Sequence, residues 1–218
     1  MNASRAVSDV VSGHDYVSAS AMSPAVNVEL LPIAKALADP RLQTEWDALV
    51  ADASEPNPFV ERWYVEAALH VLAGADVRLA EVRDGRLIGV MPLIWQNGYA
   101  GLPIVHVQNW LNHNAFLGTP LVRQGSEQLF WGTLLKSLDQ TTSGALFLHL
   151  TGLNCHGPIA RSLSAACMVG RRQYAQVHSE ERALLERGLS PEAYLEATLR
   201  GKKRKELRRL VNRLEDLG

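Results

Sequence analysis

Residues 77–94 constrain the fold more than any other stretch of the chain. Val77-Arg78-Leu79-Ala80-Glu81-Val82 and Leu87-Ile88-Gly89-Val90-Met91-Pro92-Leu93-Ile94 are two apolar runs separated by Arg83-Asp84-Gly85-Arg86. Asp-Gly tolerates the positive φ of a tight turn, so the pattern predicts a β-hairpin. Further strands are expected at 26–31, 104–110 and 116–122, at 145–150 as a buried strand with a nearly continuous apolar run, and at 174–178 and 183–185.

Helices are expected between these strands. One spans 42–53, with Trp46 and Leu49 on its apolar side, and ends at Glu55-Pro56-Asn57-Pro58, where two prolines restrict the backbone. A second spans 59–73, with Phe59, Trp63, Ala67 and Val71 recurring on one face and Gly74 placed to end it. Others are expected over 126–138, with Ser126 as N-cap, over 158–168, from Ser190-Pro191-Glu192 onward, and over 202–217. Hairpin strands interleaved with helices give an α/β (α+β) fold class: a mixed, mostly antiparallel sheet flanked by helices. Residues 1–24 are rich in Ser, Ala and Val without periodicity and read as a disordered tail.

Composition narrows the function. With 47% hydrophobic and 21% charged residues, the chain has an ordinary globular balance. The net charge is −1, so no whole-protein field draws nucleic acid or an anionic membrane. No stretch has the ~18 apolar residues of a membrane span. The 1–24 stretch has no apolar run of signal-peptide length. Two cysteines, Cys155 and Cys167, make neither a disulfide framework nor a zinc site, and the expected compartment is the cytoplasm.

No P-loop, Rossmann glycine pattern, HExxH or GxSxG occurs. Arg86-Leu87-Ile88-Gly89-Val90-Met91 approaches the R/Q-x-x-G-x-G/A pattern that cradles a pyrophosphate. It ends in Met where a small residue is needed, and it lies inside a strand rather than at a helix start. No cofactor-binding residue and no metal ligand set are therefore assigned. Cys155 beside His156 reads as a loop, because nucleophile–base pairs are assembled from distant segments. His70, His106 and His149 fall in helix or strand patterns and read as structural.

The most polar-aromatic loop is Asn109-Trp110-Leu111-Asn112-His113-Asn114. Trp110, Asn112, His113 and Asn114 are the candidate substrate-binding residues, amides to orient a ligand and His113 to accept a proton as the candidate catalytic group. The same composition also makes an ordinary turn. The basic run Arg200, Lys202, Lys203, Arg204, Lys205, Arg208, Arg209 and Arg213 surrounds a seam of Leu207, Leu210, Val211 and Leu214. It reads as a solvated helix docking through the seam, and the absence of interleaved aromatics argues against a nucleic-acid surface.

Four stretches carry a resemblance. These are Asn57-Pro58-Phe59-Val60 with Trp63-Tyr64; the hairpin from Arg83 to Leu93; Asn112-His113-Asn114 leading to Gly118-Thr119-Pro120-Leu121; and the basic helix from Arg204 to Leu210, ending in Arg213-Leu214-Glu215-Asp216-Leu217-Gly218. In this order, residues 41–218 resemble the N-terminal portion of GNAT-superfamily acetyltransferases of the FemAB-like and CelD-like group. The resemblance implies a GNAT-like domain over 25–188 and a helical connector over 189–218 into a second GNAT-like domain absent from this chain. It further implies acetyl-CoA or another acyl-CoA as cosubstrate, bound mainly by that second domain. This half would contact a small-molecule amine acceptor and be inactive alone. Two other readings stand beside it: a non-catalytic GNAT-like scaffold, and an RNA-binding module of the FemAB type, which uses aminoacyl-tRNA.

Overall fold

The structure is a computed structural model that describes residues 26–71, 76–141, 144–182 and 188–217. The tail expected at 1–24, the helix end at Gly74 and the strand expected at 183–185 lie outside the described residues.

The hairpin forms as expected: β2 (Arg78–Asp84) pairs antiparallel with β3 (Arg86–Gln96) around Gly85, whose φ is 65°. β1 (Asn27–Pro32) pairs with the other edge of β2. The free side of β3 is shared. Its Leu93–Gln96 end pairs with β4 (His106–Asn109), and Gly89 and Val90 pair with β5 (Leu121–Val122). Between the two lies Pro92, whose carbonyl accepts from Trp110 N at 2.8 Å, so its missing N–H falls on this same side. The ladder cannot continue there, and the chain leaves the sheet at Trp110 and returns at Leu121. β6 (Leu148–His149) adds to β4 in parallel, giving a six-stranded, mostly antiparallel sheet.

Helices cover both faces. On one side α1 (Ile33–Ala38), α2 (Pro40–Ala51), a 3-10 turn (Pro58–Val60) and α3 (Arg62–Val71) bury Leu42, Trp46, Leu49, Val60 and Val65 against Leu79, Leu87, Val90 and Leu121. On the other, α4 (Glu127–Gln140) and α5 (Pro158–Val169) bury Phe130, Trp131, Leu134, Ile159 and Leu163 against Val82, Ile88, Met91, Val107 and Val122. Each fully buried tryptophan keeps a partner. Trp46 Nε1 donates to Val60 O and Trp131 Nε1 to Ile159 O, both at 3.0 Å. The fold class is the mixed, mostly antiparallel, helix-flanked sheet that the sequence led us to expect.

Several local expectations are corrected. The second helix is broken: Pro58–Val60 form a 3-10 turn and α3 starts only at Arg62. The break turns the expected apolar face outward. Trp63 is 58% and Val71 80% exposed, and Val65 is the buried position instead. The 145–150 run is not a buried strand. Only Leu148 and His149 pair, both are half-buried, and Leu146 is exposed, because β6 is an edge with a single neighbour. The 116–122 strand shrinks to two residues, and 174–178 forms no strand. The helix α1 had no sequence forecast. Ser126 precedes α4 without a side-chain cap bond.

Ala175–Gly218 form a second compact unit. Within it Ser190 Oγ caps α6 (Pro191–Thr198) by accepting from Ala193 N, and α7 (Gly201–Glu215) carries the basic run. Arg204 donates to Glu196 O and Leu199 O at the end of α6. Leu207, Leu210, Val211 and Leu214 are all exposed.

Candidate functional site

The loop between β4 and β5 is anchored by two buried asparagines. Asn109, the last residue of β4, donates through Nδ2 to Gly118 O (3.0 Å) and Thr151 O (2.8 Å) and accepts at Oδ1 from Thr151 N (2.9 Å). Its carboxamide thus bridges β4, the end of the loop and the strand exit of β6, at the point where the β4–β6 ladder stops. Asn57, fully buried, donates to Thr119 O (2.6 Å) and Leu117 O (3.2 Å) and accepts from Phe59 N (3.0 Å). Gly118 N donates to Gly152 O at 2.8 Å, and a Cβ on Gly118 would lie 2.0 Å from Thr151 O. Only glycine permits that approach.

Between these anchors the four sequence candidates take different positions. Trp110 is half-buried and packs on the α1–α3 side of the core. Asn112 Oδ1 accepts from Tyr64 Oη (3.1 Å) and Asn114 N (2.9 Å), which ties the loop to α3 and fixes an Asx turn. Because Asn114 N can only donate, Oδ1 must face it, and the buried Nδ2 has no hydrogen-bond partner. His113 and Asn114 project into solvent, and His113 makes no hydrogen bond or ion pair among the described residues. Asn112 and Asn114 are therefore brought together, whereas Trp110 serves core packing.

The sequence reading missed an aromatic wall beside this loop. Phe59 meets Tyr64 edge-on at 5.1 Å and Phe116 at 5.7 Å, and Trp63 meets Tyr64 at 5.8 Å. Trp63 and Phe116 keep more than half of their surface exposed. Phe59, Trp63 and Tyr64 lie in the motif that carries the resemblance, but periodicity placed Phe59 and Trp63 on a packing face. Trp63 also borders an open groove of about 270 Å³ lined by Asp47, Val50, Glu61 and Arg62. Arg62 is held there by Asp47 and Glu66, and Trp63 Nε1 donates to Glu61 (2.6 Å).

The other motifs resolve as structural. Gly89 lies within β3, where a Cβ would meet the Phe130 ring at 2.4 Å, so its small size serves helix–sheet packing. Asn154-Cys155-His156-Gly157 is a turn, with His156 N donating to Asn154 Oδ1 at 3.2 Å. It leads into the N-terminus of α5, where Ile159 N donates to the buried Glu55 carboxylate at 2.9 Å, an anion at the positive end of a helix dipole. Cys155 is exposed, while burial pushes the Cys167 thiol pKa upward. Among the described residues no group of three His, Cys, Asp or Glu side chains is placed to hold a metal ion. None of the described helices is long and apolar enough to cross a membrane.

No protein-family model and no curated protein matches the sequence. Among solved structures, the chain resembles an acetyltransferase from Trypanosoma brucei, with 12% identity, a TM-score of 0.40 and coverage of 74% of this chain and 100% of that one. A likeness at that level assigns neither a family nor a function.

Proposed function

We propose that this chain is the acceptor-contacting part of an acyl-CoA-dependent N-acyltransferase. The observation that carries the reading is the 110–118 loop. Asn109, where the loop starts, closes it by donating to Gly118 O, buried Asn57 holds the same end at Leu117 O and Thr119 O, Tyr64 fixes its middle, and His113 and Asn114 are left free in solvent beside an aromatic wall. A rigid frame that presents unpartnered polar side chains is the arrangement that a binding loop needs. The four sequence stretches that resemble FemAB-like and CelD-like proteins supply the reaction class. The 189–218 helices then serve as the connector to a second GNAT-like domain that holds the acyl-CoA.

In such a transfer the acceptor amine attacks the thioester carbonyl. A C–N bond forms, the C–S bond breaks and the thiolate leaves, with backbone amides stabilising the oxyanion. His113 takes the proton that the amine nitrogen loses, and Asn112 and Asn114 shape the loop around the acceptor. Steady-state kinetics of His113→Ala in the complete polypeptide test the assignment. Lower kcat or higher acceptor KM is expected; unchanged values for both would remove His113 from the site.

One observation favours a second reading, a non-catalytic scaffold of the same fold. The α7 seam of Leu207, Leu210, Val211 and Leu214 is exposed and suited to docking. Acyl transfer by the complete polypeptide that survives substitutions throughout the 110–114 loop would favour it.

A further inference from the structure

Four rings gather where β4 and β6 run in parallel, on the sheet face that α4 and α5 do not cover. His106 stacks on Phe147 with centroids 5.0 Å apart and planes 11° from parallel. Tyr99, from the β3–β4 connection, meets His106, Phe147 and His149 edge-on at 5.5, 5.0 and 5.3 Å. The two imidazoles are 5.9 Å apart. His106 is only 2% exposed and uses Nδ1 against Ile104 O at 3.3 Å. His149 Nδ1 is buried without a hydrogen-bond partner.

We propose that this cluster is a proton-sensitive latch, which holds β6 on β4 while the His149 imidazole is neutral and releases it when that ring is protonated. An imidazolium must donate from both nitrogens, and Nδ1 of His149 has no acceptor in reach. Its charge would sit among aromatic rings and beside a second histidine. The groups that face it are Tyr99 from the β3–β4 connection, His106 from β4 and Phe147 beside it. Among the described residues no carboxylate offsets the charge. Burial, then His106, holds the His149 pKa below its ordinary value of 6.5. The closed state therefore binds fewer protons than the open state. Its full stability is present above the ordinary histidine value and is lost as pH falls through the interval down to the lowered one.

Beside the rings, Leu148 and Leu150 pack against the α4–α5 core, and Leu146 N donates to Val105 O at 2.9 Å. The β4–β6 ladder has two residue pairs, Val107 with Leu148 and Gln108 with His149. The strand then runs directly into Thr151 and Gly152, which hold Asn109 and Gly118. A proton on His149 therefore loosens the 110–118 loop through its own anchors. This inference rests on the fold and does not depend on the acyl-transfer reading.

Hydrogen exchange of the full chain, followed by mass spectrometry and corrected for intrinsic rates, tests it between about pH 7.5 and about pH 5.5, where histidine titrates. Peptides covering 144–153 and 110–119 are expected to lose protection in acid while 78–94 keeps it. His149→Phe, which preserves a ring but cannot titrate, is expected to abolish the loss. The latch is overturned if 144–153 behaves like 78–94 at both pH values, or if His149→Phe keeps the acid response. If that variant does not fold, an NMR titration of the wild-type imidazoles decides. His149 must titrate below the ordinary histidine value of 6.5, and a value at or above it refutes the latch.

Discussion

Asn109→Ala should be among the most damaging single substitutions in the chain, although it removes no apolar packing. The carboxamide satisfies Gly118 O, Thr151 O and Thr151 N from a position only 2% exposed. Its removal leaves three backbone groups without that partner. A buried group left unsatisfied costs about 1–3 kcal/mol. Thr151 is only half-buried, so water recovers part of the loss. The expected net cost is therefore about 2–4 kcal/mol. Asn109→Asp keeps the shape and the Thr151 N acceptor but places a carboxylate against two carbonyl oxygens that previously received hydrogen bonds. Its folded-state pKa must rise above the unfolded carboxylate value of about 3.9. The protonated form can still donate once, so the Asp variant is closest to wild type in acid and loses stability as pH rises through its raised pKa. Urea unfolding followed by far-ultraviolet circular dichroism reads both effects, with the exposed Asn114→Ala as the control. If Asn109→Ala costs no more than Asn114→Ala, or if the Asp deficit shrinks as pH rises, the bridging role of Asn109 is wrong.

Other outcomes follow from equally local geometry. Gly157→Ala places a Cβ 2.2 Å from a Glu55 carboxylate oxygen and should cost about 1–3 kcal/mol in urea unfolding through displacement of the α5 cap. Gly89→Ala drives a methyl group into the Phe130 ring and should cost about as much, without altering the β2–β3 turn. Under native conditions a thiol reagent should modify Cys155 and spare Cys167, whose thiol is buried and held protonated, with both reacting in denaturant. Tyr64→Phe removes the hydroxyl that holds Asn112 and should speed hydrogen exchange in 110–119 while leaving 78–94 unchanged.

What the sequence disclosed followed local chemistry. Asp84-Gly85 announced the hairpin because turn geometry is written in two residues, and Ser190-Pro191 announced α6 for the same reason. The helix α1 was not legible, since six residues starting directly after Pro32 span fewer than two helical turns. The face of α3 was misread because Phe59, Trp63, Ala67 and Val71 keep a spacing of four across a break at Glu61 that no periodicity reveals. β6 looked buried because an apolar run does not tell how many neighbours a strand has. At the site, polarity drew attention to 110–114. It could not separate Asn109, a structural bridge, from Asn112 and Asn114, nor bring Phe59, Trp63 and Phe116 alongside. The His106–His149 contact joins two parallel strands through the α4 crossover and leaves no local trace.

The central claim, that this chain contacts the acceptor while another domain binds the acyl donor, meets its most direct test in calorimetric titration of acetyl-CoA. One sample is this chain; the other is the polypeptide continued through the downstream reading frame. Binding by the continued polypeptide and not by this chain is the predicted result. Binding of comparable affinity by this chain alone would place the donor site within these residues and contradict the account.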